Sequence, residues 1–318
     1  MDPNWTETEG IMHYAFRLIF VRKFLFLEGC FMRIGFIGAG VMGKTMGLLL
    51  GSCGYEIVGY TSRSETSALR VAKEVGGKFF SDGAKLSANS DILFLTTPDD
   101  VIQQVCRVLA KEEGFHPRQV VAHMSGSHTS AILEPAERLG AFPLSMHPFQ
   151  SCPTAEKALE NLPRSVFSLE GSPEAVKIGK AMVSRMGADY FVLDREDKVL
   201  YHAAACMASN YLVALMGGAI ELLRMSGVEE EMLLPVLLPL VEGTLDNLKE
   251  LSPAAALTGP IKRGDINTVE RHIESIEEKA PELLDMYKAL GRRTLSLAMQ
   301  KQGFDRAKLR TLMALLRP

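Results

Sequence analysis

The stretch MRIGFIGAGVMG, residues 32–43, decides how this chain is read. Residues 33–38 form a short apolar run bounded by glycine, the pattern of a buried parallel strand. Gly38, Gly40 and Gly43 then fall at GxGxxG spacing as a helix opens. Each glycine answers a separate demand. Gly38 permits the tight turn, Gly40 lets main chain approach a diphosphate because no Cβ intervenes, and Gly43 lets the following helix press on the strand. The N–H groups at that helix start, from Val41 and Met42 onward, carry partial positive charge suited to phosphate. The alternative is a glycine-rich turn that holds no ligand.

The rest of the composition agrees with a small-molecule protein. Of the 318 residues, 47% are hydrophobic and 23% charged, a soluble globular balance with enough chain for two domains. A net charge of −3 offers no basic field, so no nucleic-acid partner is expected. The five cysteines (Cys30, Cys53, Cys106, Cys152, Cys206) are odd in number and show no CxxC pair, which reads as reduced thiols in a cytoplasmic protein. Residues 1–31 differ in character from the remainder of the chain. The run 11–27 is apolar, but His13, Arg17, Arg22 and Lys23 interrupt it, and Asp2, Glu7 and Glu9 precede it where a signal peptide carries positive charge. The expectation is that Met32 is the natural start and that 1–31 is a mis-called start or a surface helix. Membrane association through 11–27 is the other reading.

Outward from the glycine turn, the pattern predicts a helix over 41–53 capped by Gly54, then a strand over 55–60. About 20 residues after the first glycine, an NAD site usually presents a carboxylate to the ribose 2′-hydroxyl. Here the place reads Thr61, Ser62, Arg63, Ser64. No acid repels a 2′-phosphate, Arg63 would clamp it and the hydroxyls would donate to it, so the expected cofactor is NADP(H). Arg63 as an ordinary solvated side chain is the alternative. Further strands are expected at 78–80, 91–97, 119–124, 141–146, 165–169 and 188–193, with helices over 64–75 and 173–186. Thr97 and Pro98 close the fourth strand on the nicotinamide side of the crevice. From Asp194 the texture is helical: a long helix to Met225, a stretch 229–251 bent by Pro235 and Pro239, an interruption over 253–265, and helices over 268–278, 281–302 and 305–316.

Polar residues beyond the carboxyl ends of the strands are the first candidates for chemistry. Ser125 and His147 follow successive strands, and a histidine there would exchange a proton with a substrate hydroxyl or amine. A histidine before proline reads equally as hydrogen-bonded structure, and His123 and His128 read as structural. In the long helix, His202, Cys206 and Asn210 at i, i+4, i+8 share a face among alanines, consistent with a pocket wall or with close helix packing. Arg263, in the 258–265 loop, would hold a substrate carboxylate or stand exposed. The seven histidines have no metal-ligand spacing, so no metal site is expected.

GFIGAGVMG, the 61–64 segment, Ser125 with Gly126, HPFQS from His147, YHAAACMASNYLVAL from Tyr201 and ALTGPIKRGD from Ala256 together resemble bacterial Rossmann-like proteins that carry a C-terminal helical domain of unknown function. The resemblance covers about residues 32–295. It implies an α/β fold with an N-terminal Rossmann dinucleotide-binding domain over 32–193, followed by an all-helical domain over 194–318. Members are described as NADP-dependent oxidoreductases with no established substrate. The organisation is more distantly similar to pyrroline-5-carboxylate reductases, ketopantoate reductases, deazaflavin-dependent NADP reductases and prephenate dehydrogenases. Ser125 and His147 then resemble the serine and histidine of prephenate dehydrogenases that contact a substrate hydroxyl. His202 and Asn210 resemble the lysine and asparagine of ketopantoate reductase-type substrate domains, with His202 standing where those have lysine. The resemblance also implies a homodimer formed by the helical domain and a cleft between the domains. The expected function is hydride transfer between NADP(H) and a C=O or C=N carbon of a small molecule in that cleft. The dinucleotide would rest on Gly38, Gly40, Val41, Met42, Gly43, Ser62, Arg63, Ser64, Thr97 and Pro98, with Ser125, His147, His202 and Asn210 as catalytic candidates. The rival from another class is a non-catalytic NADP(H)-binding sensor or scaffold.

Overall fold

The structure, a computed structural model, describes residues 32–300 and 305–318. The apolar run 11–27, Cys30 and the end of the helix expected over 281–302 lie outside the described residues. The chain forms two compact units that part between Met207 and Ala208.

The first unit is built on an eight-stranded sheet in the order β3-β2-β1-β4-β5-β6-β7-β8. The strands are β1 (Arg33–Ile37), β2 (Glu56–Thr61), β3 (Lys78–Phe79), β4 (Ile92–Leu95), β5 (Val120–His123), β6 (Phe142–Pro148), β7 (Val166–Gly171) and β8 (Asp189–Val192). The continuous apolar runs exist because both faces are covered. Ile34, Phe36, Ile92, Phe94, Val120 and Ala122 enter one core, while Ile37, Leu93, Leu95 and Val121 enter the other. On the first face Phe36 stacks between Tyr60 and Phe94, with ring centroids 5.0 Å and 5.3 Å away. The Tyr60 hydroxyl donates to the Gly43 carbonyl at 3.0 Å, and this is possible because Gly47 has no side chain: a Cβ there would sit 1.8 Å from that oxygen. One buried phenol thus fixes α1 (Val41–Ser52) over the sheet with its polar atom satisfied.

The chain leaves β1 toward β2 and β3 on one side, and returns to β4 on the other, so a crevice opens beyond the carboxyl ends of β1 and β4. α2 (Glu65–Val75) follows β2 and α3 (Asp99–Lys111) follows β4. Beyond β6 the sheet reverses direction. β7 runs antiparallel to β6, pairing Ser168 with His147 and Glu170 with Ser145, and β8 lies parallel to β7 beside α4 (Pro173–Arg185).

The long helix expected from Asp194 to Met225 is two helices. A short turn at Arg195–Asp197 leads into α5 (Lys198–Ala208), the helix is interrupted at Ser209, which stays in the right-handed region with φ −119° and ψ −71°, and α6 (Asn210–Met225) follows. α5 belongs to the first unit, so the compact units part later than the boundary expected near Asp194. The buried Lys198 and the contacts of Tyr201 with His147 hold α5 there. The second unit holds α6, α7 (Leu233–Glu250), α8 (Ile266–Lys279), α9 (Leu284–Ala298) and α10 (Arg306–Leu315). Its core gathers Ile261, Val269, Ile273, Leu295, Leu312 and Leu316. α7 starts at Leu233 and not at 229, which places Pro235 in the first turn, where a missing N–H costs nothing; Pro239 alone lies inside the helix. The interruption at 253–265 contains two short helices, Pro253–Ala256 and Gly259–Arg263. The second ends on Gly264, and Asp265 caps α8. Arg263 is thus in the last turn of a short helix before a capped turn.

Candidate functional site

The crevice beyond β1 and β4 holds a cavity of about 780 Å³. Gly38, Gly40, Ser62, Arg63, Thr97 and Pro98 line it, as the sequence leads one to expect. The three glycines divide their work. Gly38 has φ +117°, and a Cβ on it would lie 2.6 Å from the Thr96 carbonyl oxygen. A Cβ on Gly43 would lie 2.3 Å from the Gly38 carbonyl oxygen. Gly40 has φ −83°, open to any residue, and nothing stands within 4 Å of where its Cβ would be. The fold therefore needs Gly38 and Gly43 and has no use of its own for Gly40, whose bareness serves only something that comes close from the cavity. Thr97 adds a second sign: its hydroxyl oxygen is buried without a hydrogen-bond partner among the described residues, at the wall of the same cavity. These features fit a dinucleotide diphosphate.

Not every expected residue joins that wall. Val41 and Met42 open α1, and Ser64 is taken up by α2: its Oγ accepts from Ser67 N–H at 3.2 Å. Others come in from elements that carry no motif. Ser81 and Gly83 arrive from the turn after β3, and Val101, Gln104 and Val105 from one face of α3. The amphipathic spacing of α3 was readable, but which of its faces would meet the cavity was not.

The second cluster lies where β5, β6 and α5 meet. Ser125 is buried, and its Oγ donates to Asp99 Oδ2 at 2.5 Å while accepting from His128 N–H at 3.1 Å. The serine hydroxyl is therefore committed to the loop and to the first residue of α3. His123 is also committed. Its Nδ1 accepts from Ser125 N–H at 3.2 Å and its Nε2–H donates to the Thr129 carbonyl at 3.1 Å, and burial lowers its pKa to about 4.

His147 differs. Its Nδ1 meets the Tyr201 hydroxyl at 2.8 Å, and its ring is edge-on to those of Tyr201 and His202. A Cβ on Gly126 would lie 2.8 Å from His147 Nε2 and 2.5 Å from His202 Nδ1, so two ring nitrogens converge on the space this glycine leaves. His202 Nδ1 is buried with no hydrogen-bond partner among the described residues, and its Nε2 faces Cys206 Sγ at 3.7 Å. Burial, helped by the positive charge of Lys198, lowers the pKa of His147 to about 3, so its imidazole is neutral near pH 7. Asn210 belongs to the next helix. The break at Ser209 gives it to α6 in the second unit, where it is exposed.

Two residues that the sequence left unmarked complete the cluster. Lys198 is fully buried, its Nζ 5.3 Å over the Tyr201 ring and within 3.4 Å of Ser168 Oγ, to which it donates. Burial lowers its pKa to about 8. The available signal was spacing: Lys198 stands three and four residues before Tyr201 and His202, hence on their helix face. Beneath it Glu170, 4% exposed, accepts from Ser130 N–H and Oγ–H at 2.6 Å each and from Arg195 Nε at 3.2 Å. That pairing fixes β7 against the loop after β5 and against the approach to α5.

Two family models match this chain. Residues 27–148 match a Rossmann-like domain and residues 165–294 match a domain of unknown function, DUF2520; the chain carries the one followed by the other. Among solved structures, protein TM1727 from Thermotoga maritima is 29% identical, with 85% of this chain and 100% of that one covered and a TM-score of 0.66. The putative NADP oxidoreductase BF3122 from Bacteroides fragilis is 24% identical over 83% of this chain and 98% of that one, with a TM-score of 0.68. A pyrroline-5-carboxylate reductase from Coxiella burnetii shares the fold at 16% identity, covering 91% of this chain and 100% of that one, with a TM-score of 0.53. No curated protein matches.

Proposed function

We propose that the chain is an NADP(H)-dependent oxidoreductase acting on a C=O or C=N carbon of a small molecule, or on the matching alcohol or amine. The observation that carries this reading is the bare Gly40 at the mouth of a cavity that also holds Arg63, Ser62 and the unpartnered Thr97 hydroxyl. Structures of like fold that are described as NADP oxidoreductases or reductases support it. Gly38, Gly40 and Thr97 would hold the diphosphate side of the dinucleotide, and Ser62 with Arg63 its 2′-phosphate. When bound and reduced, the dinucleotide supplies a hydride. The chain's own contribution is a neutral imidazole at His147, whose Nε2 and the nearby His202 Nδ1 would face a developing alkoxide or amine.

The test is titration calorimetry with NADPH and NADH, then NADPH oxidation across a panel of 2-oxo acids, cyclic imines and a reduced deazaflavin. Turnover of any panel member supports the reading; binding without turnover moves it to a cofactor sensor, and no binding ends it. For cofactor choice, Arg63→Ala is expected to weaken NADPH by roughly 10-fold to 100-fold, the loss of a hydrogen bond to a charged group, with NADH changed little. Equal losses for both would remove Arg63 from the phosphate.

We also infer that the second unit pairs with a second copy of this chain. Val213 and Tyr211 on α6 and Leu240 on α7 are 72%, 63% and 69% exposed, more apolar surface than a monomer usually leaves in water. The stretch Arg195–Met225 also passes for a membrane span by length and composition. Light scattering without detergent separates the two: the expected mass is twice that of the chain, and Leu240→Asp should shift it toward one. A monomer that pellets with phospholipid vesicles would overturn the pairing.

A further inference from the structure

We propose that Lys198 supplies protons to His147 through Ser168 and Tyr201, a relay within the first unit that recharges the imidazole facing the reacting group. The proposal rests on the reductase reading. Lys198 touches neither substrate nor dinucleotide in it; it is a positioning residue that acts through its neighbours.

The direction of the relay follows from what each group can do. An ammonium has donors only, so Lys198 Nζ–H donates and Ser168 Oγ accepts, at 3.4 Å. In the relay Ser168 gives its own proton to the Tyr201 oxygen; Ser168 acts on that phenol in the sense that favours phenolate, against the burial that raises the Tyr201 pKa. The Tyr201 O–H then donates to His147 Nδ1 at 2.8 Å. An imidazole that accepts at Nδ1 carries its proton on Nε2, the nitrogen beside Gly126 and His202 Nδ1. All the links point the same way, from lysine to the site. The antiparallel pairing of β7 with β6 creates the middle of the line, because it sets Ser168 opposite His147.

The chemistry needs such a line. With its pKa lowered to about 3 by burial, His147 is not available as an imidazolium at neutral pH, so it can give up the Nε2 proton only if Nδ1 gains one. In the forward reaction the His147 Nε2–H bond breaks and an O–H or N–H bond forms on the substrate, whose carbon takes the hydride of the reduced dinucleotide. In step, Tyr201 gives its proton to Nδ1, Ser168 gives its proton to Tyr201, and Lys198 gives its proton to Ser168. Lys198 ends as a neutral amine and later regains a proton from water. Net charge changes only at the two ends.

Lys198 suits the part because it is buried yet not sealed in a tight ion pair. The groups that act on it are Glu170 on β7 and Asp99 at the start of α3, which favour its charged form, with His123 on β5, His147 on β6 and Tyr201 on its own helix. Glu170 is occupied by Ser130 and Arg195, and Asp99 by Ser125, so burial prevails and its pKa falls to about 8.

The experiment compares full-length wild type, K198M, K198R and Y201F, each with NADPH, by two readouts. On whichever panel substrate wild type turns over, kcat should fall as pH rises past about 8. K198M and Y201F should lower kcat by roughly 10-fold to 100-fold with KM nearly unchanged, at the lower end of what proton transfer contributes. K198R keeps the charge and the packing but cannot release a proton, so it should fall in kcat and lose the basic limb even if K198M folds poorly. Independently of turnover, the His147 ring nitrogens of wild type should show an Nε2–H tautomer by nitrogen-15 NMR, with a shift step near the same pH that K198R abolishes. Wild-type kcat and profile in K198M or K198R, or no step in wild type, would overturn the relay. Should no panel member be turned over, the reductase reading fails and the imidazole titration still decides the relay.

Discussion

A Gly40→Val variant is expected to lose measurable NADPH binding while melting within about 2 °C of wild type, and Gly43→Val is expected to do the opposite damage first, to the fold. The asymmetry follows from where the two side chains would go. At Gly40 the backbone is in an ordinary extended conformation and no atom lies within 4 Å of the added Cβ, so the unliganded chain accepts valine. The branched side chain then stands where a diphosphate must approach main-chain N–H groups, and those contacts are the chief source of affinity at such a turn. At Gly43 a Cβ would lie 2.3 Å from the Gly38 carbonyl oxygen and 2.7 Å from Thr96 Oγ1, both held by β1 and the end of β4. Relief requires α1 to move off the sheet, at the roughly 1–3 kcal/mol typical of an overpacked core or more, since the neighbour is backbone. Calorimetry and thermal melting of the two variants check this side by side. Undiminished NADPH binding by Gly40→Val would mean that the dinucleotide does not lie on this turn.

These glycines also mark what a sequence can and cannot disclose. Strands such as β1, β4 and β5 were legible because strands buried on both faces need unbroken apolar runs, and Ile34 to Ile37 or Ile92 to Leu95 have no other use for theirs. The glycine turn was legible because two of its members are demanded by geometry. The direction of β7 was not, since an apolar run reads the same for either orientation; yet that direction places Ser168 beside His147 and Glu170 beside Ser145. Lys198 was passed over because a lysine at a helix start is ordinarily solvated, and only the pocket formed by Ser168, Tyr201 and Glu170 makes it a buried one. Ser125 was legible as a residue at the site but not as a hydroxyl already engaged by Asp99, a contact across elements that no local pattern encodes. For Asn210 the one-face spacing assumed one uninterrupted helix, whereas the helix is interrupted at Ser209, just before it.

Acid should destabilise this protein well above the range where carboxylates titrate, because burial holds the imidazoles of His147 and His123 below their ordinary pKa; His123 is the simpler case. Its folded pKa of about 4 lies below the ordinary value of 6.5, so between those limits the unfolded chain binds the proton and the folded chain does not. Stability therefore rises with pH across that window, is fully present above about 6.5, and is lost as pH falls toward 4. At 1.36 kcal/mol for each unit of difference, this residue alone accounts for about 3 kcal/mol, a large part of what a fold of this size has. The depression is built into the geometry. Both ring nitrogens are used, Nδ1 as acceptor from Ser125 N–H and Nε2–H as donor to Thr129, inside a site with no exposed surface, so protonation would break the first bond and bury a charge. The carboxylates that ion pairs and caps hold low, Asp91 and Asp265 among them, act in the same sense but below their own ordinary value of 3.8. Denaturant unfolding between pH 6.5 and 5 thus isolates the imidazoles. Wild type is expected to lose stability there, and His123→Gln, which cannot titrate, should lose it with a slope shallower by about one proton, near 1.4 kcal/mol per pH unit. Proton NMR of the wild-type ring supplies the check that does not depend on the variant folding: a His123 signal that titrates near 6.5 would contradict the burial and hydrogen bonding from which the acid sensitivity follows.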